Sequence, residues 1–274
     1  MDTPFAVYED LASVLDIEQI DRNLYRGVHG IDARARASLY GGQVAAQALR
    51  AAGLTVPDDR HPHSLHGYFL RPGRADRPVL LHVDRDRDGR SFSARHVAAV
   101  QDGEVIFSML ASFHVDEPGG ELDAVPRSEP LPEVGSPAWF GGQARPVLLL
   151  EVREVEPPAA PNDDGIAPDR LWVRAAHPVP HDRMIQACAV AYISDVGSGF
   201  RQVRRPGLPA GGPSIDHAVW FHAPVAPDDW LLLELQPAKA EGGRGIYLGS
   251  LRDKSGRLAA LIAQEMLLRT TTAH

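Results

Sequence analysis

The chain has 274 residues, enough for one large domain or two of ordinary size, and 44% hydrophobic with 23% charged residues is the composition of a globular protein, not of a disordered or fibrous one. Lys and Arg number 28 against 36 Asp and Glu, a net charge of -8 with no basic stripe, which argues against a nucleic-acid partner. An acidic average still leaves room for a polyanionic small molecule held by a few arginines at a pocket mouth.

Met1–Glu18 is acidic and broken by charges, unlike a signal peptide. Val44, Ala45, Ala48, Leu49 and Ala52 fall at helical spacing and predict a first helix. Tyr68-Phe69-Leu70-Arg71-Pro72 follows, then an extended apolar stretch over Val79–Val83 and a turn signal at Asp88-Gly89. Gly89-Arg90-Ser91-Phe92, an Asp102-Gly103 turn and the apolar run Val105–Leu110 complete this series. Asp116 to Pro146, rich in Pro, Gly and Glu, reads as a linker.

Beyond it the order recurs. Met184, Ile185, Cys188, Ala189, Ala191 and Tyr192 predict a second helix. Trp220-Phe221-His222-Ala223-Pro224, the run Trp230–Leu235, Gly243-Arg244-Gly245-Ile246, a Ser255-Gly256 turn and Leu258–Ala263 then come in sequence. The offset between the series stays near 152 to 154 residues, an internal repeat carried by punctuation more than by identity. Small and apolar residues surround most of both helices, which suits a helix wrapped by a sheet. One central helix per half with a long antiparallel sheet is the pattern of a hotdog unit, the curl being an analogy. The expected fold class is therefore α+β with two tandem hotdog units. The expected division is an N-terminal unit over 1–115, a linker over 116–146 and a C-terminal unit over 147–274 that carries the catalytic residues.

Several apparent motifs fail on inspection. Asp84-Arg85-Asp86-Arg87-Asp88-Gly89 opens like a calcium loop, but its twelfth position is Arg95 where a bidentate Glu is needed, so a charged hairpin connection is expected. Gly242-Gly243-Arg244-Gly245 with Gly249 has the wrong spacing for a dinucleotide fingerprint and predicts a close-packed strand segment. The Gly-x-Ser-x-Gly elbow and His-Glu-x-x-His are absent, and the 12 histidines lack zinc-site spacing. No metal or other cofactor is expected. Cys188 is the only cysteine, which precludes an intrachain disulfide, and its apolar neighbours predict a packing residue. No stretch approaches the roughly 20 apolar residues that span a bilayer, and Thr272-Ala273-His274 is not the peroxisomal tripeptide. The expected setting is cytoplasmic, without membrane insertion.

Polar residues interrupt apolar surfaces at four places. Asp195 ends the second helix, where the negative end of the helix dipole disfavours a carboxylate; a solvated turn is the plain alternative. Gln264 is the one polar residue among Leu258, Ala260, Ile262, Met266 and Leu268 on one face of a strand, with a structural hydrogen bond as its alternative. Ser214 begins a polar entry into an aromatic strand. His66 is a further candidate, with a satisfied core histidine as its plain reading.

At these residues the chain resembles the acyl-CoA thioesterase II (TesB-like) family along nearly its whole length. The resemblance rests on Tyr40-Gly41-Gly42-Gln43-Val44-Ala45-Ala46-Gln47, His66-Gly67-Tyr68-Phe69-Leu70-Arg71-Pro72-Gly73 and Arg87-Asp88-Gly89-Arg90-Ser91-Phe92. In the second half it rests on Ser194-Asp195, Ile215-Asp216-His217-Ala218-Val219-Trp220-Phe221-His222 and Ala263-Gln264-Glu265. It implies hydrolysis of acyl-CoA with Asp195, Ser214 and Gln264 as the catalytic set, Ser214 standing where many members have Thr. It also suggests Tyr40, Gly41, Gly42 and His66 around the substrate. Asp195 would be the general base towards water, Ser214 and Gln264 would hold that water or the carbonyl oxygen, and N–H groups near Gly41 and Gly42 would add to an oxyanion site. Ala111 stands where Gln264 does in the repeat, so one active site per chain is expected. An acyl-thioester binding protein without catalysis and an enoyl-CoA hydratase-type hotdog enzyme are the alternatives. Exposed sheet edges leave room for homo-oligomers.

Overall fold

The computed structural model describes residues 10–27, 38–126, 131–137, 149–156, 158–163 and 165–269. A short helix α1 (Leu11–Leu15) opens on Asp10, whose carboxylate accepts from Ser13 N–H in a capping box, and buries Leu11, Val14 and Leu15. Strands β1 (Glu18–Asp21) and β2 (Leu24–Gly27) form a hairpin. Helix α2 (Gly41–Gly53) follows and is buried at ten of its positions, as its run of Gly and Ala predicts. Four long strands come next: β3 (Arg60–Phe69), β4 (Val79–Asp88), β5 (Phe92–Gln101) and β6 (Glu104–Val115).

The second half has β7 (Glu133–Pro137), β8 (Leu150–Glu156), β9 (Asp169–Ala175) and helix α3 (Arg183–Ile193). It ends with β10 (Asp216–Phe221), β11 (Leu231–Glu241), β12 (Arg244–Arg252) and β13 (Leu258–Leu267). All these strands join one sheet in the order β1-β2-β4-β5-β6-β3-β10-β13-β12-β11-β9-β8-β7. The order of β1 to β6 is reproduced by β8 to β13 in mirror sense about the β3–β10 seam. There Leu65 pairs with Val219 and His66 with Ala218 in antiparallel register. The two helices pack together within the sheet, and the fold is a double hotdog. Among the described residues no helix is long and apolar enough to cross a membrane.

Backbone chemistry explains the turns. Asp102 and Gly103 have φ of 52° and 81°, the double positive φ of a tight β-hairpin turn. Gly242 and Gly243, expected within a strand, form the same kind of turn between β11 and β12, with φ of 59° and 75°. Gly245 does sit in a close-packed strand, where a Cβ would lie 2.3 Å from Leu268 Cδ1. Asp84–Asp88, expected as a hairpin connection, is instead the exposed end of β4.

The segment read as a linker is partly structured. Its β7 pairs with β8, and Asp123 forms an ion pair with the fully buried Arg252 of β12 at 2.6 Å. Leu131 packs with Trp230 against Leu232, Trp172 and Val155. That cover explains why Leu231, Leu232 and Leu233 are all buried without alternation: both faces are dry at the start of β11. Each such leucine is worth roughly 1.5–3 kcal/mol of burial.

Candidate active site

Helix α2 begins without a side-chain cap, since its N-cap residue Tyr40 supplies none. The first N–H groups of a helix have no partner within it and form a positive end. Gly42 N–H is satisfied from the other half of the chain, donating to Asp195 Oδ2 at 2.8 Å. Asp195 follows Ser194, the C-cap of α3. The unfavourable carboxylate at the end of α3 is thus offset by the favourable start of α2. Close approach requires both glycines: a Cβ on Gly41 would lie 2.8 Å from Asp195 Oδ2, and one on Gly42 would lie 2.5 Å from Tyr192 O.

Gln264, on β13, faces inward and is buried. Its Nε2 donates to Ser214 Oγ at 2.6 Å. Ser214 is held beside β13 by an isolated bridge to Met266. The Gln264 amide lies near enough to the Asp195 carboxylate to favour its ionised form. The three residues singled out in the sequence therefore meet, although they come from a helix end, a loop and a strand. Burial raises the Asp195 pKa above the usual aspartate range, opposed by His217, by Gln264 and by Gly42 N–H. The raised value moves a general base closer to working pH.

A cavity of about 480 Å³ opens beside this cluster. Asp195, Ser214 and Gly41 line it together with apolar side chains that include Leu39, Val44, Phe69 and Phe107. Arg71, half exposed and paired with Glu104 at 2.7 Å, also lines it. An apolar hollow with a carboxylate, a hydroxyl and helix N–H groups at one end suits an acyl chain whose carbonyl meets the polar end. Among the described residues no group of three or more His, Cys, Asp or Glu side chains is placed to hold a metal ion.

Residues 32–114 match the family model described as the acyl-CoA thioesterase N-terminal domain, and residues 121–268 match that of the acyl-CoA thioesterase C-terminal domain. The chain belongs to the acyl-CoA thioesterase family. This thioesterase is 36% identical to acyl-coenzyme A thioesterase 8 of Rattus norvegicus, over 95% of its own length and 89% of the relative's. It is 33% identical to acyl-CoA thioesterase 2 of Haemophilus influenzae, over 96% and 98%. Among solved structures it is similar to the acyl-CoA thioesterase II TesB2 of Mycobacterium marinum, with a TM-score of 0.80, 36% identity and coverage of 96% and 98%.

Two other sequence candidates have different places in the thioesterase. His66 does not join the cluster: it lies exposed on the outer face of β3, edge-on to Trp220 at 4.9 Å. The inward positions of that strand are Leu65 and Gly67, so alternation sends His66 the other way. For the same reason it is not a core histidine. Tyr40 is half-buried and donates its hydroxyl to Tyr192 O at 2.8 Å, tying the start of α2 to the end of α3.

Sequence reasoning missed Ser194 and His217. His217 is buried on β10, its Nδ1 hydrogen-bonds Gln264 Oε1, and its Nε2 lies 2.8 Å from Ser194 Oγ. The available signal was register: His217 and Gln264 lie one step beyond the Ala218–Ala263 pair of β10 and β13.

Among the described residues the first half has no counterpart of this network. Its equivalent ladder position pairs Leu65 with Ala111. Aligning the first residues of the two helices, Gly41 and Arg183, places Gly53 where Asp195 stands and Ala52 where Ser194 stands. Met184 crowds that place, its Sδ 2.5 Å from where a Gly53 Cβ would be. A smaller cavity of about 260 Å³ remains there, lined by His61, His114, Asp116, Glu117, Arg183 and Gln186 among others, but the positions equivalent to Asp195 and Gln264 are Gly53 and Ala111.

Proposed function

We propose that this enzyme's hydrolysis of acyl-CoA thioesters runs through one water activated at Asp195. The observation that carries this reading is the meeting of Asp195, Gln264 and Ser214 at the polar end of an apolar cavity, with Asp195 anchored on the Gly42 N–H. The ionised Asp195 accepts a proton as the water oxygen attacks the thioester carbonyl carbon. Ser214, oriented by Gln264, holds the water in line. The N–H of Gly41, at the open start of α2, faces the charge that develops on the carbonyl oxygen. Collapse of the tetrahedral intermediate breaks the C–S bond, and the proton on Asp195 passes to the departing CoA thiolate. The acid product keeps its chain in the cavity lined by Phe69 and Phe107. Arg71 at the rim is the arginine best placed for the phosphates of CoA.

The apolar set Gly53, Leu65 and Ala111 supports one active site per chain, its catalytic side chains on the C-terminal unit over 147–274 and its cavity shared with the first half. A cytoplasmic setting belongs to the same reading and rests on the single unpaired cysteine. A hydratase working through an Asp and His pair is not favoured, because both ring nitrogens of His217 are engaged by protein groups.

The test is an acyl-CoA panel from short to long chains, with released CoA followed by a thiol reagent and crotonyl-CoA hydration measured in parallel. Release of one CoA per thioester consumed supports the reading. Binding without turnover at every length, or hydration without CoA release, overturns it.

A further inference from the structure

A carboxamide has two ends of similar shape and opposite hydrogen-bonding character, so something must decide which way Gln264 points. The catalytic reading, on which this inference rests, needs the NH2 end towards Ser214 and Asp195. An amide turned over would place its oxygen against the Asp195 carboxylate and leave Ser214 without its donor. We propose that His217 is the positioning residue that sets this choice, and that Ser194 sets His217.

The geometry runs as a chain through the core. Burial lowers the His217 pKa, against the opposing effect of Asp195, so the ring is neutral near pH 7 and carries one N–H. Its Nδ1 meets Gln264 Oε1, an atom that only accepts, so the proton resides on Nδ1. Nε2 is then an acceptor, and the Ser194 hydroxyl lies 2.8 Å from it. That hydroxyl also donates to Ala191 O at 2.9 Å, so its one proton is shared between the ring and the last turn of α3. Ser194, His217 and Gln264 are 0%, 1% and 2% exposed, so water does not compete for these bonds. The order Ser194, His217, Gln264, Ser214 leads from the C-cap of α3 across two strands to the cavity wall. His217 does not line the cavity, so it acts through Gln264 and not on substrate.

The first half shows that the fold does not need this chain for packing. Ala52, Leu65 and Ala111 occupy the equivalent positions, all buried and all apolar. A leucine at position 217 therefore has a precedent within the same molecule.

The experiment compares wild type with His217→Leu, His217→Asn and Ser194→Ala in the full chain, measuring kcat, KM and the urea midpoint. Asn keeps an N–H donor near the place of Nδ1, whereas Leu has none. The expected result is a fall in kcat of about tenfold or more for His217→Leu with KM within about twofold, and recovery of most of kcat in His217→Asn. Ser194→Ala is expected to lower kcat several-fold at unchanged KM, and it serves as the test if His217→Leu does not fold. Wild-type kcat in His217→Leu, or equal impairment of folded Leu and Asn variants, overturns the proposal. So does unchanged kcat in Ser194→Ala. Failure of the underlying reading is separate: it shows as full activity of Asp195→Asn, whatever the His217 variants do.

Discussion

Asp195 Oδ2 accepts the N–H of Gly42 at 2.8 Å, so a carboxylate at the end of one helix caps the helix of the other half of the chain. The contact joins residues 153 apart and makes the proposed base dependent on both repeats. An isolated C-terminal unit would lose the donor that stabilises the ionised carboxylate.

Gly41 should tolerate no side chain without loss of catalysis. In Gly41→Ala the new methyl would meet Asp195 Oδ2 at 2.8 Å and Phe69 Cζ at 2.9 Å. Both are ends of side chains that can move, so folding survives while the base is displaced. The expected outcome is a drop in kcat of about tenfold or more with a nearly unchanged urea midpoint. Gly42→Ala instead meets the backbone carbonyl of Tyr192 at 2.5 Å. It should cost stability, roughly 1–3 kcal/mol by urea unfolding.

Ser214 supplies a hydroxyl that accepts from Gln264. Ser214→Thr keeps that oxygen and restricts its rotamer, so activity should be retained. Ser214→Ala should lower kcat by roughly 10²-fold. Steady-state kinetics on one acyl-CoA separates these outcomes, and equal activity of the Ala variant would remove Ser214 from the mechanism.

The pH profile follows from the direction of the Asp195 shift. A base must be ionised, and burial raises its pKa, so activity should fall on the acid side at a pH above the ordinary aspartate value of about 3.9. The acid limb of kcat/KM, recorded with the fold checked at each pH, reports this value in the free enzyme.

Cys188 is fully buried in α3, and its pKa is pushed up to about 12. The native enzyme should therefore show no reaction with a thiol reagent within an assay, and one thiol per chain should appear in urea. Rapid labelling of the native protein would contradict this burial.

Much of the architecture was legible because it rests on local signals. The small residues of α2 and the Asp102-Gly103 turn announce themselves within a few positions. Gly242-Gly243 misled because glycine fits equally a tight turn and a close-packed strand, and only φ separates the two. Asp195 was visible as a carboxylate out of place, but its partner Gly42 was not, since nothing local links the two. His217 stayed hidden for a related reason: a buried histidine in an alternating strand looks like any inward residue until cross-strand register sets it beside Gln264. The outward turn of His66 was in principle readable from alternation in β3, given a correct starting face.

The most direct test of the central claim is the turnover of Asp195→Asn, measured as CoA release from a good acyl-CoA substrate. Asn can still accept from Gly42 N–H, so the fold and KM should be largely kept, while it cannot take a proton from water. The account predicts a fall in kcat of about 10²–10⁴-fold in a folded protein. Turnover equal to wild type in that variant would contradict it.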